Sequence, residues 1–161
     1  MCIIVDINTL PAVFTSTNSE HSHFKPVFDA INNGLAPMTV GGTKYRAEIE
    51  QMKSFRKYFA ELSKARKLVS ADDSVVDLLE AKIESDYSDP AFDDKHIVAL
   101  TYATHGRIVC TKDKVLQHYI TTRGTYSRVR DVPKLAKVYN ERSRPNAIDR
   151  SLFTHSCLLC R

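Results

Sequence analysis

Residues 93–113 read DDKHIVALTYATHGRIVCTKD. Two adjacent acids open the stretch, a third closes it, and most of what lies between is apolar. Lys95 to Gly106 is apolar nearly all round, the pattern of a buried helix rather than an amphipathic one. RIVC, at 107–110, is short and mostly apolar, as expected of a strand covered on both faces. From Asp94 the helix climbs about eleven residues, or roughly 17 Å. Gly106 then turns the chain, and RIVC with two more residues returns it by roughly 20 Å. Thr111 and Asp113 therefore arrive at the end where Asp94 sits, and a charge directly follows an apolar strand.

The same alternation runs outward through the chain. CIIV (2–5) reads as a buried strand that ends on Asp6. Polar residues from Asn18 to His23 read as a loop. FKPVFDAINNG (24–34) reads as a helix, with Pro26 in its first turn and Asn33-Gly34 as its C-cap. PMTV (37–40) is a second strand, stopped by Gly41-Gly42. That pair is a tight strand-to-helix turn, since the G-x-x-x-x-G-K-[ST] phosphate loop is absent. One long helix is expected from Thr43 to about Lys67, then a short strand KLV, then a helix from Asp72 and Asp73 to roughly Ser85. SDYSDPAFDD is a loop, and TKDKVLQHYI a final helix. Strands alternating with helices predict an α/β protein with a mostly parallel sheet. Such sheets bind ligands in the crevice beyond the carboxyl ends of their strands.

At 161 residues the chain is expected to form one domain with a real core, and its 43% hydrophobic and 26% charged residues are ordinary for a globular protein. No run of eighteen apolar residues suggests a membrane span, and the start lacks the pattern of a secretory signal. The four cysteines do not make a disulfide scaffold at this length. Cys2 and Cys110 lie in strand-like runs as reduced hydrophobes, so a reducing, cytoplasmic setting is the expectation. The net charge of +4 is uneven: residues 121–161 carry nine Lys and Arg against three acids. A basic segment suits a nucleic-acid partner and equally a solvated tail. HSCLLC, with His155, Cys157 and Cys160, is half a zinc site; without a second CxxC it reads as apolar packing or disorder.

Asp6 admits two readings: a helix cap, or a functional acid at a strand end. Glu48 sharpens the choice. At 100° per residue, Tyr45, Ile49, Met52, Phe55, Phe59 and Leu62 share one helix face, and Glu48 falls near its middle. Glu50 and Glu61 fall opposite, where a solvated carboxylate belongs. An acid in an apolar stripe is costly unless it is paired, protonated or bound to a cation. Two strand ends and two helices thus deliver carboxylates or hydroxyls to one edge. Crowded carboxylates repel unless a cation neutralises them, and hard oxygen ligands select Mg²⁺ or Mn²⁺ over zinc. One or two such ions in a carboxylate cluster equip a site for phosphodiester hydrolysis. His96, beside the cluster, reads either as a proton-transfer group or as a packed helix-start residue.

IIVDIN, GGTKYRAEIE and DDKHIVALTYATHGRIVCTKD, in this order, resemble the PIN-domain family over most of residues 1–120. The resemblance implies a three-layer α/β/α sandwich and a Mg²⁺- or Mn²⁺-dependent ribonuclease leaving a 5′-phosphate and a 3′-hydroxyl. It also implies a candidate toxin with an antitoxin partner, and a fold that often dimerises. Carried over by position, the metal-holding catalytic acids are Asp6, Glu48, Asp94 and Asp113, with Asp93 the rival for Asp94. Asn8 and Thr111 are the supporting polar residues. Lys112 is the first choice to hold the RNA backbone, ahead of Lys44, Arg46, Lys95 and Lys114. The nuclease domain is expected over 1–126, with 127–161 a basic segment, partly helical or disordered. Two alternatives stay open: a nuclease of DNA or single strands, and an RNA- or protein-binding module in which the acids are structural.

Overall fold

Short apolar runs become strands of three residues each: β1 (Ile3–Val5), β2 (Met38–Val40), β3 (Leu68–Ser70), β4 (Ile108–Cys110) and β5 (Lys137–Tyr139). The computed structural model describes residues 2–106, 108–122 and 136–144, with Ile148 and Leu159. The strands form one all-parallel sheet in the order β3-β2-β1-β4-β5. Every residue of β1, β2 and β4 is buried, whereas β3, on one edge, is only half-buried. Uniformly apolar runs thus take the centre and the weaker KLV run an edge, as double-sided cover requires.

Among the described residues, seven helices connect the strands: α1 (Leu10–Phe14), α2 (His21–Asn32), α3 (Thr43–Gln51), α4 (Arg56–Lys64), α5 (Asp73–Asp86), α6 (Lys95–Thr104) and α7 (Lys114–Thr121). The chain steps from β1 to β3 in one direction and from β3 to β5 in the other. Right-handed crossovers therefore lay α1–α4 over one face and α5–α7 over the opposite one. α1 packs on α2, α5 on α6, and α6 on α7, completing an α/β/α three-layer sandwich. β1 and β4 are neighbours in register Ile3–Ile108, Ile4–Val109 and Val5–Cys110. Because the chain leaves β1 toward one edge and β4 toward the other, their carboxyl ends flank the switch point where parallel sheets bind ligands.

Several expectations need correction. The predicted long helix over 43–67 breaks at Met52 (φ −81°, ψ 65°) into α3, a 3₁₀ turn at Lys53–Phe55, and α4. A straight helix of that length would run about 37 Å, against about 10 Å for a three-residue strand. The bend keeps Tyr45 and Phe59 both in the core. Arg56 Nη2 caps the exposed end of α3 by donating to the Glu50 carbonyl at 3.0 Å. The predicted loop at 18–23 holds only as far as Glu20, and residues 21–23 are already helix. Asn18 Oδ1 accepts the Glu20 N–H at 2.9 Å, so α2 begins at His21 and holds Pro26 in its interior.

β5 falls within the segment expected to be helical or disordered, and its residues pair with β4. Cys2 is disulfide-bonded and Cys110 is a buried free thiol, so a reduced core cysteine holds only for the latter. α6 is buried almost throughout, as its composition requires. Its left-handed terminal residue is His105 (φ 53°) rather than Gly106. A Cβ at Gly106 would lie 2.9 Å from Ile4 Cδ1 on β1, so a side chain there would make the end of Ile4 shift. No helix among the described residues is long and apolar enough to cross a membrane. His155, Cys157 and Cys160 lie outside the described residues.

Candidate active site at the carboxyl edge of the sheet

Asp6 follows β1 directly, and its N–H donates to the Cys110 carbonyl at 2.9 Å, extending the β1–β4 pairing by one rung. Its carboxylate is 2% exposed. Oδ2 accepts from Thr111 Oγ1 at 2.7 Å across the switch point and from Thr9 Oγ1 at 3.4 Å. Oδ1 accepts the Asn8 N–H at 3.2 Å, capping the 3₁₀ turn Ile7–Thr9. Asp6 therefore caps a turn, and it also stands at the switch point, where the second reading needs an acid. Asn8 contributes its backbone, and its side chain is exposed. Burial raises the Asp6 pKa; the Thr111 and Asn8 hydrogen bonds oppose this, and the charge of Asp113 adds to it.

Asp113 follows β4 by three residues and caps α7, accepting the Leu116 N–H at 2.8 Å. Its own N–H donates to Thr111 Oγ1 at 3.0 Å, and the Lys112 N–H to Thr9 Oγ1 at 3.3 Å. Two threonine hydroxyls thus stitch the residues after β1 to those after β4. Thr9 is absent from the sequence-derived site because it leads into an apolar helix and one of its two partners, Lys112, lies 103 positions away.

Asp94 occupies the N-cap position of α6 yet makes no side-chain cap hydrogen bond. Asp72, at the same position of α5, spends its carboxylate on the Ser74 N–H. The Asp94 pKa rises from 3.8 to about 7, through burial first and then the charges of Asp6, Asp93, Asp113 and Glu48. Adjacent Asp93 is exposed. The loop carrying both is anchored from two sides. Phe92 is fully buried and stacks on Tyr119 of α7 at 3.8 Å, and Lys44 Nζ donates to the Asp93 carbonyl at 2.5 Å.

Glu48 projects from α3, 31% exposed, with Oε2 3.3 Å from His96 Nε2. Burial raises its pKa, Lys44 opposes the shift, and Asp6, Glu80 and Asp93 add to it. α3 is held at its N-terminus by acids of α5. The Gly42 N–H donates to Asp73 Oδ1 at 2.8 Å, and the Thr43 N–H to Asp77 Oδ1 at 2.8 Å. Gly42 has φ 87°, which favours glycine, and no side chain with which to cap the helix itself. Tyr45 OH fixes the next turn by donating to the Val5 carbonyl at 2.5 Å, one residue before Asp6.

The four predicted acids therefore come from four elements to one edge: the charge of Asp113 raises the pKa of Asp6, that of Asp6 raises Glu48, and those of Asp6, Asp113 and Glu48 raise Asp94. The basic residues divide differently from expectation. Lys112 ion-pairs with Glu20 at 2.6 Å, Arg46 with Asp73 at 2.7 Å, and Lys95 lies over Phe92 and 3.9 Å from Glu84. Lys44 is the cation whose charge acts on Glu48, although it ranked behind Lys112 from sequence. In kind the residues fit a hard divalent cation: all four candidates are carboxylates, and the most buried, Asp6, is one a cation would relieve. Among the described residues, no three of His, Cys, Asp or Glu close on a point that could hold an ion. The carboxylates influence one another without forming a cage.

No protein-family model, curated protein or solved structure matches this chain.

Proposed function

We propose that this chain is a divalent-metal-dependent endoribonuclease of the PIN-domain kind, acting as the toxin of a toxin–antitoxin pair. One observation carries the enzymatic reading: Asp94 declines the cap position it occupies and is pushed to about 7 by burial and by Asp6, Asp93, Asp113 and Glu48. A fold that gathers unneutralised acids at a parallel sheet's switch point is paying a cost that structure alone does not require. The toxin setting and the preference for RNA rest on the sequence resemblance.

Asp6, Glu48, Asp94 and Asp113 would hold one or two Mg²⁺ or Mn²⁺ ions, which when bound lower the pKa of an attacking water and offset charge on the leaving oxygen. Thr111 and Thr9 fix the Asp6 carboxylate, so its lone pairs are aimed before substrate arrives. Lys44 supplies positive charge beside the acids, where a scissile phosphate would otherwise meet only repulsion. Asp94 holds a proton near neutral pH in the metal-free state.

A second reading has its own observation. Asp6 caps the turn after β1 and Asp113 caps α7, so both have structural work in a binding module as well. The deciding experiment is cleavage of total cellular RNA with Mg²⁺, Mn²⁺ or EDTA, comparing wild type with Asp6→Asn and Asp113→Asn. Discrete, metal-dependent cuts lost in both variants support the nuclease. Folded wild type without cleavage, or variants that cut equally, move the function to the binding module.

A further inference from the structure

His96 is fully buried, yet neither ring nitrogen makes a hydrogen bond among the described residues. Buried polar groups are almost always paired, so an imidazole left in this state calls for a reason. Packing does not provide one. The following residues of α6, Ile97, Val98, Ala99 and Leu100, are all fully buried and apolar. An aliphatic side chain at position 96 would fill the same interior without stranding two nitrogens. The ring lies 6.1 Å from that of Tyr45, and its Nε2 is 3.3 Å from Glu48 Oε2, close enough for a hydrogen bond but not aligned as one. The two sides of this contact differ in freedom. His96 is locked in the core, while Glu48 is part-exposed at the end of a flexible side chain. A rotation of Glu48 that brought Oε2 onto the Nε2–H axis would complete the contact.

We infer that His96 is a positioning residue for Glu48: its Nε2–H holds one carboxylate oxygen and leaves the other for a divalent cation shared with the remaining acids. This rests on the metal-dependent reading above. Outer hydrogen bonds of this kind orient ligating carboxylates and raise metal affinity. His96 touches neither metal nor substrate in this role, and its effect passes entirely through Glu48.

The test is Mn²⁺ binding to the full chain by isothermal titration, with thermal unfolding as a check on the fold. The proteins are wild type, His96→Gln, His96→Asn, His96→Leu, Glu48→Gln, and Glu48→Gln combined with His96→Leu. His96→Leu should weaken Mn²⁺ binding by about 10- to 100-fold. His96→Gln, whose amide nitrogen reaches the place of Nε2, should retain affinity within a few-fold, while His96→Asn, which reaches only the place of Nδ1, should not. In the Glu48→Gln background, His96→Leu should have no further effect. A folded His96→Leu protein that binds like wild type, or an equal loss in both backgrounds, overturns the inference and leaves the nuclease reading standing. If His96→Leu does not fold, equal binding by the Gln and Asn variants overturns it. Wild type that binds no Mn²⁺ overturns both readings together.

Discussion

Replacing Asp94 by Asn should stabilise the metal-free protein, and only above the pH at which an unfolded aspartate gives up its proton. Its carboxyl pKa rises from 3.8 to about 7 in the fold. Between those values the folded protein holds a proton that the unfolded chain has released, so stability falls as pH rises through the window and stays low above it. Three pKa units correspond to about 4 kcal/mol at about 1.4 kcal/mol each. Partial exposure, and a titration shared with the surrounding acids, reduce the usable figure to about 2 kcal/mol. Asn keeps the shape without the charge, and no cap bond is lost because Asp94 makes none. In a chain of this size about 2 kcal/mol moves the midpoint by roughly 4–8 °C. Thermal unfolding in EDTA should show that gain at about pH 8 and none at about pH 3, on either side of the window. Mg²⁺ should then raise the wild-type midpoint more than that of the variant. A midpoint unchanged at the higher pH, or a gain that persists at the lower one, refutes the claim that Asp94 is held among like charges.

Three further outcomes follow from the site's supports. Tyr45→Phe strands the buried Val5 carbonyl and should cost about 1–3 kcal/mol in urea unfolding, so unchanged stability would show that the bond is not formed in solution. Asp77→Ala removes both bonds to Thr43 and should cost about 1 kcal/mol, together with a loss of RNA cleavage as the helix carrying Glu48 loosens; unaltered cleavage would mean that α3 does not need this clamp. Asp73 has its pKa lowered by Arg46 first and by the Gly42 N–H, so its contribution is present at neutral pH and lost as pH falls through that lowered value. The stability gap between wild type and Asp73→Asn should therefore narrow in acid, and a constant gap would count against the ion pair.

Strand ends were legible because a uniformly apolar run followed by a charge is a strong local signal. Asp6 and Asp113 follow β1 and β4 in this way. Asp94 was legible by distance, since a buried helix and the strand after it return the chain to its starting edge. The break at Met52 was not, because the apolar spacing from Tyr45 to Leu62 continues unchanged through it. The bend is demanded by the length of the sheet, a property of the assembled protein. β5 carries an exposed lysine and borders a basic stretch, so nothing local separates it from a tail. Lys112 was favoured because it adjoins Asp113, yet its partner Glu20 lies 92 positions away. Glu48 was legible as an anomaly in its stripe, but the orphaned nitrogens of His96 were not, since a missing partner can be seen only once the neighbours are in place.

Strands of three residues leave no spacer between the core and the candidate site. Ile3 to Val5 are core and the next residue is Asp6; Ile108 to Cys110 are core and the next residue is Thr111. One residue inserted into β1 would turn Asp6 to the other side of the ribbon and carry it about 3.3 Å past Thr111. An insertion at the opposite rim, in a segment such as 33–36 that leads into β2, would leave the register of Asp6 against Thr111 untouched.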